Sequence, residues 1–236
     1  MSLSPTEWRK FKAEKLKKWL NPVSLQPSIY YEADKRYEKF MQQKKLIAEE
    51  KTKAKEPIEE WETKEDPERK VGWRGQKWFS EMLFDLQIPH IAELKIETPF
   101  DDKWVKIKEK FIDLGLNLQD WIELKYKFEI NPDIYILDFG TVEVKTSINI
   151  KKHAWDSNPS LYLVVLKNCD KEMLEFQFLG WLYGHEVYKL KFQEKSEIYP
   201  KAHYFGDVQD LREPKKFLEK VFEVSKAKPQ RQSRQK

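Results

Sequence analysis

The chain is poor in several features whose scarcity narrows what it can be. It has one cysteine, Cys169, among 236 residues, which excludes an intramolecular disulfide and any zinc or iron–sulfur site built from several cysteines. A lone cysteine also fits a reducing, intracellular setting. No window approaches the roughly 20 apolar residues of a membrane span. We therefore expect a soluble, intracellular protein that has no membrane contact.

The chain also has only a small excess of positive over negative charge, and it has few histidines. The chain has 44 lysines and arginines against 40 acidic residues, a formal net charge of +4, so global charge is weak evidence for a nucleic-acid partner. Its four histidines show no paired spacing of the kind that zinc sites use. Any binding chemistry must therefore come from the local placement of charges.

Residues 131–147, which read NPDIYILDFGTVEVKTS, are the most informative stretch. Two apolar runs flank a short Asp-Phe-Gly turn, a pattern that predicts a β-hairpin. Because side chains alternate along a strand, Glu143 and Lys145 point to the same side. Asp133, at the mouth of the first strand, reaches them from the neighbouring strand. The pattern predicts two carboxylates and one lysine on one patch of a small sheet.

This combination of side chains suits metal-assisted phosphoryl chemistry. Mg²⁺ prefers oxygen ligands and usually takes one or two carboxylates together with waters and substrate phosphate oxygens. A neighbouring lysine orients a water or neutralises charge as a phosphodiester is attacked. The residues therefore favour a Mg²⁺- or Mn²⁺-dependent reaction on a nucleic-acid backbone, although a solvated hairpin face is the simpler alternative.

The hairpin resembles the signature of the PD-(D/E)XK nuclease superfamily, here Pro132-Asp133 followed by Glu143-Val144-Lys145. The preceding segment 72–84, with a glycine before a helical glutamate, is similar to the opening helix of archaeal Holliday-junction resolvases, and the chain also resembles nuclease-fold proteins of archaeal viruses. The resemblance covers roughly residues 70–190. It implies Glu81 as the helix acid and metal ligand, with Asp133 and Glu143 as core ligands. It also implies the Val144 carbonyl as a further ligand and Lys145 as the catalytic lysine.

The resemblance implies an α/β fold of restriction-endonuclease type, with a mixed central sheet of about five strands flanked by helices. Asp85 and Glu93 are alternative acids if Glu81 faces elsewhere. Six further residues are candidates for DNA contacts, because they lie one turn before the helix acid or just after the motif strand; they are Arg74, Lys77, Thr146, Ser147, Lys151 and Lys152.

Periodicity and charge runs divide the chain into three parts. Residues 1–68 form a charged helical extension and linker, 69–225 the nuclease-like domain, and 226–236 a basic disordered tail. Within them we predict the following elements: helices at 5–20, 28–55, 73–86 and 214–224, and strands near 91–97, in the hairpin, at 161–166 and at 176–182. Residues 186–190 form either a further strand or a short turn. Residues 98–125 are ambiguous.

These inferences together predict a metal-dependent DNA endonuclease, with junctions as one candidate substrate. A homodimer is expected, because cutting two strands takes two active sites and the apolar stripe of helix 28–55 offers an interface. Two alternatives stay open. One is a nuclease-fold protein that binds DNA without catalysis, and the other is an assembly protein that works through its N-terminal helices.

Overall fold

The computed structural model describes residues 5–58, 64–92, 133–136, 139–157, 160–194 and 201–226. In these residues the protein is mixed α/β, with a six-stranded mixed sheet flanked by helices and a second, smaller sheet. The expectations for residues 98–125 and for the basic tail beyond Lys226 lie outside the described residues.

The N-terminal segment supplies two helices and the first strand. Helix α1 spans Pro5–Trp19, β1 is Val23–Ser24, a 3-10 turn covers Pro27–Tyr30, and α2 runs Tyr31–Ala54. Helix α2 ends because the next residue, Lys55, adopts a left-handed conformation with φ 58°. Both predicted helices are confirmed, and α2 lies within the predicted range 28–55.

Helix α3, Pro67–Asp85, begins six residues earlier than the periodicity predicted. The start signal is local: the Asp66 side chain accepts a hydrogen bond from the Arg69 N–H at 3.1 Å, and Pro67 takes the first helical position. The apolar pattern from Trp73 onward did not reveal this first turn, which is polar. The earlier start places a further turn of the helix beside the motif hairpin.

The main sheet contains the predicted hairpin. Its later strands are β2 (His90–Ala92), β3 (Ile134–Ile136), β4 (Gly140–Lys145), β6 (Tyr162–Asn168) and β7 (Glu175–Tyr183). The strand order is β1-β7-β6-β4-β3-β2, with β4 parallel to β6 and the other pairs antiparallel. The strand expected near 91–97 is described only as far as Ala92.

The parallel pair is joined through a short crossover that also starts the second sheet. Strand β5 (Asn149–Lys151) and helix α4 (Lys152–Ser157) lie between β4 and β6. Strand β5 pairs with β9 (His203–Phe205), which pairs with β8 (Lys191–Gln193). Helix α5, Pro214–Lys226, closes the described chain and confirms the predicted final helix.

Residues 186–190, which we predicted to form a strand or a short turn, are not a strand, because residues 184–189 form a 3-10 helix. Gly184 turns the chain at the end of β7, where an added Cβ would lie 1.9 Å from the Ser160 carbonyl oxygen. The Glu186 carboxylate then accepts from the Tyr183 N–H at 3.0 Å and from Arg212. A close backbone approach and a side-chain cap thus override the strand-like residue pattern.

The main core lies between one face of the sheet and helices α1, α3 and α5. Its largest fully buried side chains include Trp19, Trp78, Phe79, Phe176, Phe178, Trp181, Phe217 and Phe222. The N-terminal segment is part of this core, since β1 extends the sheet and the Trp78 indole donates to the Val23 carbonyl at 2.8 Å. None of the described helices is long and apolar enough to cross a membrane.

His90 is held neutral beside α3, and this gives the fold a measurable pH dependence. Its Nδ1 donates to the Ile88 carbonyl at 2.8 Å, so Nε2 accepts from the Ser80 hydroxyl at 2.8 Å. Burial lowers the pKa of His90 more than the Ile88 carbonyl and the charge of Glu81 raise it. Below about pH 6.5 the unfolded chain binds a proton that the folded chain resists, so stability falls with pH there.

We therefore expect His90→Gln, which cannot ionise, to flatten the decline in unfolding free energy between about pH 6.5 and 5. Urea unfolding at several pH values, followed by circular dichroism, measures this difference. A decline of the same slope in wild type and variant would contradict a buried neutral imidazole. His185→Gln, at an exposed histidine, is the control and should leave the slope unchanged.

Candidate active site

Strand β4 delivers Glu143 and Lys145 to the same point. Val142 and Val144, which alternate with them, are fully buried in the main core. The Lys145 ammonium lies 2.5 Å from Glu143 Oε1, and both side chains are more than half buried. The alternation that the sequence predicted is therefore the one observed, and it leaves a partly buried ion pair on the side of the strand away from the main core.

Asp133 joins this pair from the start of β3. Its Oδ2 accepts the Val144 N–H at 2.9 Å, and its Oδ1 accepts from Gln76 Nε2 at 2.7 Å. Its carboxyl group lies within hydrogen-bonding reach of Glu143. The hairpin register, in which Ile134 faces Val142, sets this approach. The structure thus brings together Asp133, Glu143 and Lys145.

Gln76 of α3 completes the cluster, and sequence reasoning missed it. The helix reaches the hairpin because Gly75 has no side chain; an added Cβ would lie 2.9 Å from Thr146 Cγ2. Gly75 thus lets the helix backbone pack against the end of β4 and carries the next residue to Asp133. Gly75 is part of the sequence motif. The motif does not show how α3 is rotated about its axis, which the packing of Gly75 sets.

Burial and the negative charge of Glu143 make Asp133 a weaker acid than an ordinary aspartate. Burial raises the pKa of Asp133, and the neighbouring Glu143 carboxylate raises it further, whereas Lys145 and the Val144 N–H lower it. The result is a pKa of about 8. In the metal-free protein at neutral pH, Asp133 is therefore protonated.

Lys145 shows the opposite balance. Burial alone would lower the pKa of Lys145, but the charges of Glu143 and Asp133 together with the Glu143 hydrogen bond raise it above its ordinary value. The lysine is thus an ammonium ion in the metal-free protein. It is suited to stabilising negative charge and is not suited to acting as a free base.

Two buried oxygens of this cluster lack hydrogen-bond donors among the described residues. They are Glu143 Oε2 and Gln76 Oε1. Buried carboxylate and amide oxygens that accept nothing are costly, and a hard cation satisfies such oxygens. No group of three or more Asp, Glu, His or Cys side chains within the described ranges is arranged to hold a metal. The donor set is therefore two carboxylates and a neutral amide oxygen.

The cluster opens into a cavity of about 290 Å³ between α3 and the segment that follows β4. Glu143 and Lys145 line the cavity, and so do the predicted contact residues Thr146, Ser147 and Lys151. Comparisons with protein-family models, curated proteins and solved structures found no match to this chain. The interpretation of the cavity therefore depends on its own chemistry.

The structure does not bring Glu81 to this cluster, so its prediction as helix acid needs correction. Glu81 follows Gln76 by five residues, which turns it by about 140° around the helix. Its carboxylate instead binds Lys77 at 2.6 Å. The neutral Gln76 occupies the place beside Asp133 that we had assigned to Glu81. Asp85, the alternative acid, binds Lys15, Lys18 and Trp19, and Glu93 lies outside the described residues.

The position of Arg74 does not support its prediction as a DNA contact, because its side chain is buried within the fold. Its Nε and Nη2 donate to the two carboxylate oxygens of Asp34 at 2.7 and 2.6 Å. Its Nη1 donates to the Glu172 carbonyl at 2.7 Å. All of this binding capacity is directed inward, where it ties α2 and the β6–β7 turn to α3.

Lys77 and Lys152 lie away from the cavity. Lys77 pairs with Glu81, and Lys152 pairs with Asp156 at a separate surface hollow that Lys201 also lines. Their assignment as DNA contacts at this site is therefore not supported by their position. Val144 contributes its N–H to Asp133, and the role of its carbonyl stays a prediction.

The cavity wall on α3 contains residues that the sequence did not single out, namely Glu68, Arg69, Gly72 and Trp73. They lie in the first turns of the helix, N-terminal to Gln76. The Asp66-Pro67 start signal would have placed them in the helix, and spacing of three and four residues would then have placed them on its cavity face.

Proposed function

We propose that this protein is a Mg²⁺- or Mn²⁺-dependent DNA endonuclease that hydrolyses phosphodiester bonds in the cavity beside β4. The observation that carries the proposal is the convergence of Asp133, Glu143 and Lys145 around a buried carboxylate oxygen that has no donor. A purely structural ion pair would not need a second, protonated carboxyl group at its side. Removing that proton is costly in the free protein, and a cation offsets the cost.

The residues present fit one hard divalent cation. Asp133 and Glu143 would hold it, with the Gln76 amide oxygen as a neutral neighbour, and waters would complete the shell. When bound, such an ion supplies charge to the phosphate and lowers the pKa of a bound water. Because Gln76 replaces a third acid, we propose one metal ion and not two.

The protein's own groups have separable roles. Asp133 releases its proton when the cation binds, so binding strengthens as pH rises toward about 8. Glu143 holds Lys145 in place at 2.5 Å. The Lys145 ammonium then lies beside the reacting phosphate, where it stabilises the charge that develops there.

The finer assignments are proposals as well. The order of α3, the meander β2-β3-β4, helix α4 and parallel β6 supports a restriction-endonuclease-like fold, with Glu143 on β4 and Asp133 just before β3. We propose DNA as the partner and junctions as one candidate substrate. The homodimer stays a prediction; α2 exposes Leu46 and Ile47 for such a contact.

The test compares metal-dependent cleavage by two variants that carry the same Glu→Gln change at different places on the protein. We expect Glu143→Gln to reduce cleavage of DNA at least about 100-fold, because it removes a charged ligand and the Lys145 partner. Glu81→Gln, the same change on α3 away from the cavity, should retain cleavage within a few-fold. Cleavage of a fluorescent four-way DNA junction, a duplex and a single strand is measured in the presence of Mg²⁺, Mn²⁺ or EDTA.

Equal loss in both variants would favour the original assignment of Glu81 to the site. Full activity of Glu143→Gln would contradict the proposal, and so would cleavage that persists in EDTA. Wild-type protein that binds DNA but cuts none of these substrates with either metal would favour the catalytically inactive DNA-binding alternative. The assembly alternative has less support, because the N-terminal helices are packed into the core through Trp19 and Tyr30.

A further inference from the structure

Helix α3 contains a glycine that packing does not explain. Glycine disfavours a helix interior more than any residue except proline. Gly75 is required, because Thr146 Cγ2 occupies the space of a side chain. At Gly72, by contrast, none of the described residues beyond its own helix lies within 4 Å of the position that a Cβ would take. As far as the described residues show, Gly72 leaves a bare helix surface in the wall of the active-site cavity.

This bare surface lies next to a fixed aromatic ring. Trp73 lines the same cavity and is partly exposed. Edge-on contacts with Tyr37 and Phe40, at centroid distances of 6.3 and 6.0 Å, hold its indole. The Arg36 guanidinium lies over this ring, 4.5 Å from its centroid, so a base would stack on the part of the ring that Arg36 leaves open. A ring held in this way stacks at little entropic cost.

The remaining rim is polar and contains two basic residues, Arg69 and Lys151, and one acidic residue, Glu68. Arg69 stands one turn before Trp73, with its guanidinium 5.9 Å from the Trp73 ring centroid and a salt bridge to Asp66 at 3.1 Å. On the other wall, Ser147, Asn149 and Lys151 are exposed. Basic and hydroxyl groups beside an aromatic ring suit a phosphate backbone whose bases are free to stack.

We infer that the substrate at this site is an unpaired strand, which passes over Gly72 and stacks a base on Trp73. The inference rests on the proposed function, since it names the strand that the site would cut. A base inside a duplex is already paired and stacked and cannot reach an indole in a cavity wall. A cavity of about 290 Å³ also lies at the small end of ligand sites, which suits about one nucleotide.

The test separates binding from cleavage. The full chain is titrated into a fluorescein-labelled 15-nucleotide single strand and into the matched duplex, with Ca²⁺ replacing Mg²⁺, and anisotropy reports the Kd. Gly72→Ala and Gly72→Leu introduce good helix formers, so we expect them to raise the midpoint of thermal unfolding. Gly72→Leu should weaken single-strand binding about tenfold, Gly72→Ala less, and neither should change duplex binding.

Gln43→Ala, on the exposed surface of α2, is the control and should leave both Kd values unchanged. Unchanged single-strand binding by Gly72→Leu would overturn the inference, and so would equal weakening for duplex and single strand. A lower unfolding midpoint for Gly72→Ala would also overturn it, because the chain itself would then fill this space.

The two proposals fail in different ways. One result would contradict the nuclease proposal and support the strand-binding surface. In that case the wild type cuts no substrate, while Gly72→Leu selectively loses single-strand binding. The opposite result would support the nuclease proposal and contradict the strand-binding surface. In that case Gly72→Leu cuts every substrate as the wild type does, in a metal-dependent way.

Discussion

Replacing Asp133 with asparagine is expected to abolish cleavage and, at the same time, to stabilise the metal-free protein. The loss of activity should be at least about 100-fold, since one of two charged ligands is removed. The gain in unfolding free energy should be about 1–3 kcal/mol at neutral pH, because asparagine does not have to take up a proton when the chain folds. Asp133→Asn would therefore lower the activity and raise the stability of the protein.

The reason is the raised pKa of Asp133. Its folded pKa, about 8, lies above the ordinary value, so ionising it opposes folding. Below about pH 4 the carboxyl is neutral in both states and costs nothing. As pH rises from there to about 8 the penalty grows, and above that it is constant. Asparagine cannot ionise, so the advantage of the variant should grow across the same window.

Asparagine also fits the hydrogen bonds. Its oxygen accepts the Val144 N–H, as Asp133 Oδ2 does now at 2.9 Å. Its amide N–H donates to Gln76 Oε1 once the Gln76 amide turns over, and that oxygen at present has no partner among the described residues. The substitution therefore keeps the geometry and removes only the ability to ionise.

The measurement is chemical unfolding in EDTA from pH 4 to 8, alongside cleavage assays with Mg²⁺. Asp85→Asn is the matched control, because that acid is paired with two lysines and its pKa is lowered by Lys15, Trp19 and Lys18, which outweigh burial. It should lose stability at neutral pH and keep activity. An Asp133→Asn protein that is less stable than wild type at pH 7 would contradict the raised pKa of Asp133.

Arg74→Met is expected to destabilise the protein by about 3 kcal/mol without changing how the folded protein binds DNA. Removing one partner of a buried ion pair leaves the other charge without compensation, which typically costs 3–5 kcal/mol. Asp34 keeps about a quarter of its side chain exposed, so the lower end applies. The Glu172 carbonyl also loses its donor.

Urea unfolding of Arg74→Met, Asp34→Ala and the double variant measures the coupling, which should be about 1–3 kcal/mol for a contacting pair. Lys77→Met is the control one turn along α3; its partly exposed pair with Glu81 should contribute less than about 1 kcal/mol. If Arg74→Met keeps its stability and instead weakens DNA binding with a smaller salt dependence, Arg74 contacts phosphate after all.

The site could be predicted from sequence where its geometry is local. The hairpin, the shared side of Glu143 and Lys145, and the approach of Asp133 all follow from the period of two along a strand and from a short turn. The buried strand β6 and helix α5 followed from their apolar runs for the same reason. These features need only neighbours within about a dozen residues.

The helix side of the site could not be predicted, because it depends on contacts that are distant in sequence. Whether residue 76 or residue 81 faces Asp133 is set by the rotation of α3. That rotation is fixed by the packing of Gly75 on Thr146 and by the pairing of Arg74 with Asp34, 40 residues earlier. Spacing within the helix leaves its phase open, and the polar first turn hid its true start.

The sequence by itself determined the chemistry of this protein: two carboxylates and a lysine on a hairpin, with no cysteine cluster to compete for a metal. Only the tertiary structure decided which further groups join them. It replaced an expected acid with Gln76, turned Arg74 inward, and placed Gly72 and Trp73 in the wall of the cavity. The difference has one physical cause, since strand alternation is a property of the backbone, whereas the face that a helix presents is chosen by what it packs against.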